Sequence, residues 1–207
     1  MQESEHKLIN EEKWNKRSET FDKKRFIYFR IFQKHIISLL NLKGNDYLLD
    51  VGCGTGWAVR YAANILKEGG EAYGIDLSPK MIERAKINSE AYTNAFFQVA
   101  NSEELRFEDN FFNYIICTNS FHHYYDPVKV LNEMRRVLKP QGRIYILDPT
   151  GDGFLMKWIN QLTLKKEPEH IGFYTNKKFR NFMTQANLQH ISSKIYLYPL
   201  KIHVAEK

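Results

Sequence analysis

The chain has 207 residues, 43% of them apolar and 26% charged, which is enough to bury the core of one domain and too little for two comfortable ones. This composition excludes a disordered or fibrous chain. No stretch reaches the roughly 18 consecutive apolar residues of a membrane span, and the basic-then-apolar start of a signal peptide is missing, so the expectation is a single soluble, cytoplasmic domain, residues 1–207. Two cysteines, Cys53 and Cys117, are too few for a zinc set and read as small buried hydrophobes.

The net charge of +6 is uneven. Residues 1–50 carry ten Lys/Arg against eight Asp/Glu, residues 51–150 eleven against twelve, and residues 151–207 nine against four. A basic tail is able to meet nucleic acid, an acidic substrate or an anionic surface, but Lys165-Lys166 and Lys177-Lys178-x-Arg180 are short and read first as solvated helix faces.

Taken in chain order, residues 1–20 form a mostly polar arm, loose or helical, in which Trp14 stands out. From about Lys24 to Leu40, Phe29, Phe32, Ile36 and Leu40 recur at three- and four-residue steps and predict an amphipathic helix ended at Gly44. Then strand and helix patterns alternate. Strands are predicted at Tyr47–Val51, Glu71–Asp76, Ala95–Ala100, Tyr114–Asn119 and Arg143–Leu147, the last entered by a Pro140-Gln141-Gly142 turn. Helices are predicted at Gly56–Leu66, from Ser78-Pro79 through Ile87, and from Asp126-Pro127 through Leu138. Beyond Asp148 come two more helices, Phe154 to about Leu164 and Thr175–Ala186, and two strands around Pro199 that form an antiparallel edge hairpin. The expected fold is α/β: a doubly wound, mostly parallel seven-stranded sheet covered on both faces, with its ligand beyond the carboxyl ends of the strands.

Leu49-Asp50-Val51-Gly52-Cys53-Gly54-Thr55-Gly56 carries the strongest functional signal. An apolar strand passes through one acid into alternating glycines, which tolerate positive φ and let backbone amides approach a ligand, and the following helix aims its N-terminus at the loop. A dinucleotide fingerprint would need a third glycine where Trp57 stands. The observed Asp50-x-Gly52-x-Gly54-x-Gly56 resembles the first motif of the class I S-adenosylmethionine-dependent methyltransferases, and the resemblance extends over about residues 46–150.

That resemblance implies a Rossmann-like fold, S-adenosylmethionine as cofactor with S-adenosylhomocysteine as product, and a division into an N-terminal helical lid (1–45), a cofactor-binding core (46–150) and a helical insertion with C-terminal hairpin (151–207). It also assigns residues. Asp76, ending the second strand, would take the ribose hydroxyls, because a carboxylate accepts both hydrogen bonds of a vicinal diol. Leu77 and Met81 would offer apolar faces to the adenine, although Met81 equally suits a helix core. Asn101, with Ser102 beside it, stands where the family usually has Asp on the adenine amine; its side-chain oxygen still accepts that bond without the charge. Leu131 to Arg143 resembles the family's helix and turn before the fifth strand, with Gln141 replacing the first of the usual two glycines.

The segment Thr118-Asn119-Ser120-Phe121-His122-His123 is similar to the region lining the cleft beside the sulfonium in methyltransferases of small amines and related metabolites. Asn119 is assigned to the cofactor, His123 to the acceptor or its proton, and His122 to the acceptor wall with a structural hydrogen bond. Methyl transfer is an in-line displacement from an activated sulfonium, so alignment and water exclusion suffice if the acceptor arrives deprotonated. No metal site is expected, since adjacent histidines rarely share an ion and no carboxylate stands at supporting spacing.

Aromatic residues gather on both flanks, Trp14, Phe21, Phe26, Tyr28 and Phe29 before the core and Phe154, Trp158, Phe173 and Tyr174 after it; Tyr28 and Tyr174 are the candidate acceptor contacts. The reading is a methyltransferase with a small-molecule acceptor. An RNA methyltransferase is the enzyme alternative, motivated by the basic charge and opposed by the lack of an Asn/Asp-Pro-Pro-aromatic sequence, of a Pro-Cys nucleophile and of an RNA-binding module. A non-catalytic S-adenosylmethionine-binding protein is the alternative from another class.

Overall fold

The structure is a computed structural model that describes residues 2–22, 27–67, 69–167 and 170–207. Helix α1 (Glu3–Phe21) and helix α2 (Ile27–Leu40) precede an alternating series: β1 (Tyr47–Val51), α3 (Trp57–Ala63), β2 (Glu71–Asp76), α4 (Pro79–Ile87), β3 (Ala95–Val99), β4 (Phe112–Thr118), α5 (Pro127–Val137) and β5 (Leu138–Pro149). Then follow α6 (Phe154–Lys166), α7 (Asn176–Gln185), β6 (Gln189–Leu197) and β7 (Leu200–Glu206).

The seven strands make one sheet in the order β3-β2-β1-β4-β5-β7-β6. Strands β1 to β5 are parallel and β7 runs antiparallel between β5 and β6. Order reverses between β1 and β4, so the crevice beyond their carboxyl ends is where a ligand is expected. Alternation along β1 explains the two layers: Leu49 and Val51 face α5 and α7 through Val130, Leu131, Met134 and Phe179, while Leu48 faces Ile36, Ile37, Val59 and Ala62 of α2 and α3.

Helix starts follow side-chain chemistry. Ser78 accepts the Met81 N–H before a first-turn proline, Asp126 accepts those of Val128 and Lys129, and Thr175 accepts that of Lys178.

One expectation changes and one open alternative closes. The Pro140-Gln141-Gly142 segment is no turn; it is a bulge within one long strand, where pairing passes from Phe112–Leu138 to Tyr114–Arg143, leaving three surplus residues on β5, and Gln141 takes φ 63° within it. The arm over residues 1–20 is a full helix whose buried residues, His6, Asn10 and Ser18, are polar. No helix among the described residues is long and apolar enough to cross a membrane. Both cysteines are free and buried.

Candidate functional site

The loop leaving β1 is pinned to β2, for the N–H groups of Gly52 and Cys53 both donate to the Ile75 carbonyl at 2.9 Å. At Gly52, φ is +79° and a Cβ would lie 2.2 Å from Ser120 Oγ, so only glycine fits. The Gly54 N–H donates to the Asp76 carboxylate at 2.9 Å, tying the loop to the acid at the end of β2. Gly56 has another role than the expected ligand approach: it precedes α3 at φ +77°, away from the cleft lining, and a Cβ there would meet the Phe97 ring at 2.5 Å.

Beyond these strand ends opens a cleft with about 980 Å³ of space between atoms, part of it open to solvent. Gly52 to Gly54, Asp76, Leu77 and Met81 line one side, Ala100 to Glu103 a second, and Thr118 to Ser120 with His123 to Tyr125 a third. Helices α1 and α2 close it through His6, Lys7, Asn10, Trp14, Phe21, Phe29 and Gln33. Eight of the ten residues expected on the cofactor side therefore share one cleft: Gly52, Gly54, Asp76, Leu77, Met81, Asn101, Ser102 and Asn119.

Asp50 is a correction, since its side chain lies wholly buried beneath the loop rather than on the cleft wall. Neither carboxyl oxygen has a hydrogen-bond partner, and burial followed by the nearby Asp76 charge pushes its pKa up to about 8. Burial also raises Asp76, opposed by backbone N–H donors of Ser78, Gly54 and Leu77. The Asn101 side-chain oxygen accepts the Glu103 N–H at 3.1 Å, which orients it at the cleft wall. Asn119 stands at φ 53° where β4 ends, its Nδ2 buried without a partner. A loop that excludes any Cβ, an acid beside it and an unpartnered amide in the same wall fit a ligand with a diol and several polar acceptors.

After β4 the chain makes a single 3-10 turn, Phe121–His123. Tyr124 Oη lies 2.9 Å from Ser120 Oγ and donates to the Val51 carbonyl at 3.2 Å, locking this exit against the glycine loop. His123 lines the cleft, its carbonyl accepting from Asn10 Nδ2 and its ring set edge-on to Trp14 at 5.4 Å. Burial, then the neighbouring His122 and Lys13, hold its pKa well below the ordinary imidazole value, so it is neutral and a weak proton acceptor. His122 lies outside the cleft lining, and its expected structural bond is present: Nδ1 faces the Asp148 carboxylate at 2.9 and 3.1 Å.

The expectation of no metal considered only groups near in sequence, and the fold adds others. The loop after α6 brings His170 beside the pair, one ring nitrogen from each of the three histidines lying within 4.8 Å of the others, while β5 supplies Asp148 from outside the local sequence.

Of the flanking aromatics, Trp14, Phe21 and Phe29 line the cleft. Phe26 lies outside the described residues. Tyr28 does not line the cleft and is 64% exposed, because its step along α2 faces solvent rather than the inward stripe. Tyr174 is buried in the core against Phe121, Phe179 and Phe182, its hydroxyl unpartnered, so it is a packing residue. Phe154 and Trp158 are exposed on α6, and Phe173 packs on His122 and His170.

The N-terminal lid and Trp14 were expected, but other cleft-lining residues of α1, His6, Lys7 and Asn10, escaped sequence reasoning. Their signal was a four-residue rhythm, His6, Asn10, Trp14 and Ser18, that turns one polar-aromatic face inward. Lys7 pairs with the buried Glu103 at 2.9 Å, and Asn15 accepts from Ser78 Oγ at 2.6 Å, fastening that face across the cleft.

A methyltransferase-domain family matches residues 42–198, and the chain belongs to it. A demethylmenaquinone methyltransferase of Bacillus mycoides is 32% identical over 136 residues, 63% of this chain and 57% of that protein. The chain thus spans little more than half the length of that relative. The ubiquinone/menaquinone biosynthesis C-methyltransferase of Wigglesworthia glossinidia brevipalpis is 28% identical over 181 residues, 86% of this chain and 68% of that protein. Among solved structures, a SAM-dependent methyltransferase from Aquifex aeolicus superposes with a TM-score of 0.68 at 22% identity, covering 84% of this chain and 88% of that one; it shares the Rossmann-like methyltransferase fold.

Proposed function

We propose that this chain, acting as one domain in the cytoplasm, uses S-adenosylmethionine to methylate a small molecule in the cleft at the ends of β1, β2 and β4. The observation that carries the reading is the meeting of the Gly52–Gly54 loop with Asp76, joined by the Gly54 N–H bond, on one wall of that cleft.

When bound, S-adenosylmethionine supplies a methyl group on a sulfonium already activated for displacement, and S-adenosylhomocysteine is released. The chain's own residues bind, orient and exclude water. Asp76 retains acceptor capacity for a ribose diol beside its backbone donors. Leu77 and Met81 give apolar contact to a base, and Asn101 and Ser102 face its edge. Asn119 Nδ2 is a buried donor in want of an acceptor. Asp50, held neutral by its burial, acts from below through the loop it underlies. Helices α1 and α2 serve as the lid, with Trp14, Phe21 and Phe29 keeping the transfer site dry. His123 stands where it can touch the acceptor; its depressed pKa suits contact better than proton removal.

The relatives named for quinone methylation support a small-molecule acceptor over a nucleic acid. A screen of metabolite pools with labelled methyl donor, followed by mass identification of labelled species, tests the reading. Label should enter a small molecule with the wild type and not with Asp76→Ala; label confined to added RNA would contradict it.

A further inference from the structure

His122, His123 and His170 converge from two separated parts of the chain, and of the three His123 lines the cleft. We propose that they form a binding site for a single divalent ion of the zinc class. Two zinc–nitrogen bonds of about 2.0–2.1 Å span roughly 3.4 Å between ligand atoms. Nitrogens within 4.8 Å of one another therefore need to close by no more than about 1.4 Å, a small adjustment of side-chain torsions.

The surroundings are those of a ligand set. Asp148 holds Nδ1 of His122, the carboxylate–histidine arrangement that fixes a tautomer and strengthens the opposite nitrogen as a donor to metal. Asn160 Oδ1 accepts from the Phe173 N–H at 2.8 Å, which identifies that atom as the oxygen, and it lies 2.9 Å from Nε2 of His170. These bonds place protons on Nδ1 of His122 and Nε2 of His170, so the lone pairs sit on Nε2 and Nδ1. His123 Nδ1 is buried with no hydrogen-bond partner. Such an atom is costly to leave bare, and a metal bond would satisfy it.

Charge around the cluster is mixed and specific. Lys13 and Arg17 of α1 face it, Lys13 is paired with Glu167, and the Asp148 and Glu167 carboxylates offset the cations. Phe173 and Trp14 cover the rings.

Three protein ligands leave a tetrahedral ion one open position, and His123, which lines the cleft, sets that position toward the acceptor side. An acceptor with an ionisable oxygen or sulfur would then bind as its anion. This role rests on the methyl-transfer reading; the ion site does not.

The test uses tag-free full-length protein stripped with chelator, titrated with Co2+ and then with Zn2+ in competition. One equivalent of Co2+ should bind with the visible absorption of a four-coordinate nitrogen site, and Zn2+ should displace it. His170→Ala should weaken binding at least 100-fold, Asp148→Asn about 10- to 100-fold, and His190→Ala, a distant surface control, not at all. His170→Asn, with folding followed by circular dichroism, serves if the alanine variant does not fold. Absence of stoichiometric uptake by the wild type, or uptake unchanged in folded His170 variants, overturns the proposal. S-adenosylhomocysteine affinity measured on the same variants keeps the two readings apart, since loss of metal should leave it intact.

Discussion

Asp50→Asn should flatten the pH dependence of stability in the ligand-free protein. The side chain is fully buried, both oxygens lack partners, and its folded pKa is about 8 against an ordinary value of 3.8. The sign follows from linkage. Between roughly pH 4 and pH 8 the folded chain keeps a proton that the unfolded chain releases, so stability falls as pH rises through this window and levels off above the folded pKa. A shift of about four units at 1.36 kcal/mol each makes the whole effect on the order of 5 kcal/mol, with a slope of about 1.4 kcal/mol per pH unit. Asparagine has nearly the same shape and no charge to bury, and because its amide is also unpartnered the gain is read between pH values rather than at one. Urea unfolding of both proteins at pH 5 and pH 8.5 measures it. The variant's stability relative to wild type should rise by several kcal/mol from the lower to the higher pH. Parallel curves would refute the account of Asp50 as a carboxyl held neutral by its burial.

Gly52→Ala combines left-handed strain with overlap against Ser120, about 3–5 kcal/mol together, whereas Gly69→Ala at φ +91° meets nothing within 4 Å and should lose only about 1–2 kcal/mol. Thermal melts should therefore separate them by several degrees, and Ser120→Gly should rescue part of the first but none of the second. Tyr174→Phe removes a buried hydroxyl without a partner, so the variant should be as stable as wild type or up to about 1 kcal/mol more so, and loss of more than about 1 kcal/mol on chemical denaturation would mean the hydroxyl is satisfied.

The sheet and one wall of the cleft were legible because their signals are local. Alternation of apolar strand and amphipathic helix follows from burying both sheet faces, and the Gly52-x-Gly54 spacing with Asp76 at the end of β2 places three site elements with no long-range information. Gly56 shows the limit of such reading, since it belongs to the same motif but is required by the Phe97 ring, not by the cleft. The inward face of α1 was opaque because it is polar; an apolar-stripe reading passes over His6 and Asn10, which line the cleft, and the buried Ser18. The bulge at Gln141 looked like a turn because proline and glycine punctuate both, and β4 pairing decides between them. Tyr28 and Tyr174 differ by their facing alone, one outward on α2 and one inward toward Phe179. The convergence of His170 and Asp148 on the His122–His123 pair is a product of topology that spacing along the chain could not reveal.

The central claim is that the glycine loop and Asp76 hold S-adenosylmethionine. Calorimetric titration of the purified chain with S-adenosylhomocysteine tests it most directly. One equivalent should bind with micromolar or tighter affinity, and Asp76→Ala, shown by circular dichroism to be folded, should lose at least 100-fold. No heat of binding to the wild type, or an unchanged affinity in the variant, would contradict the account.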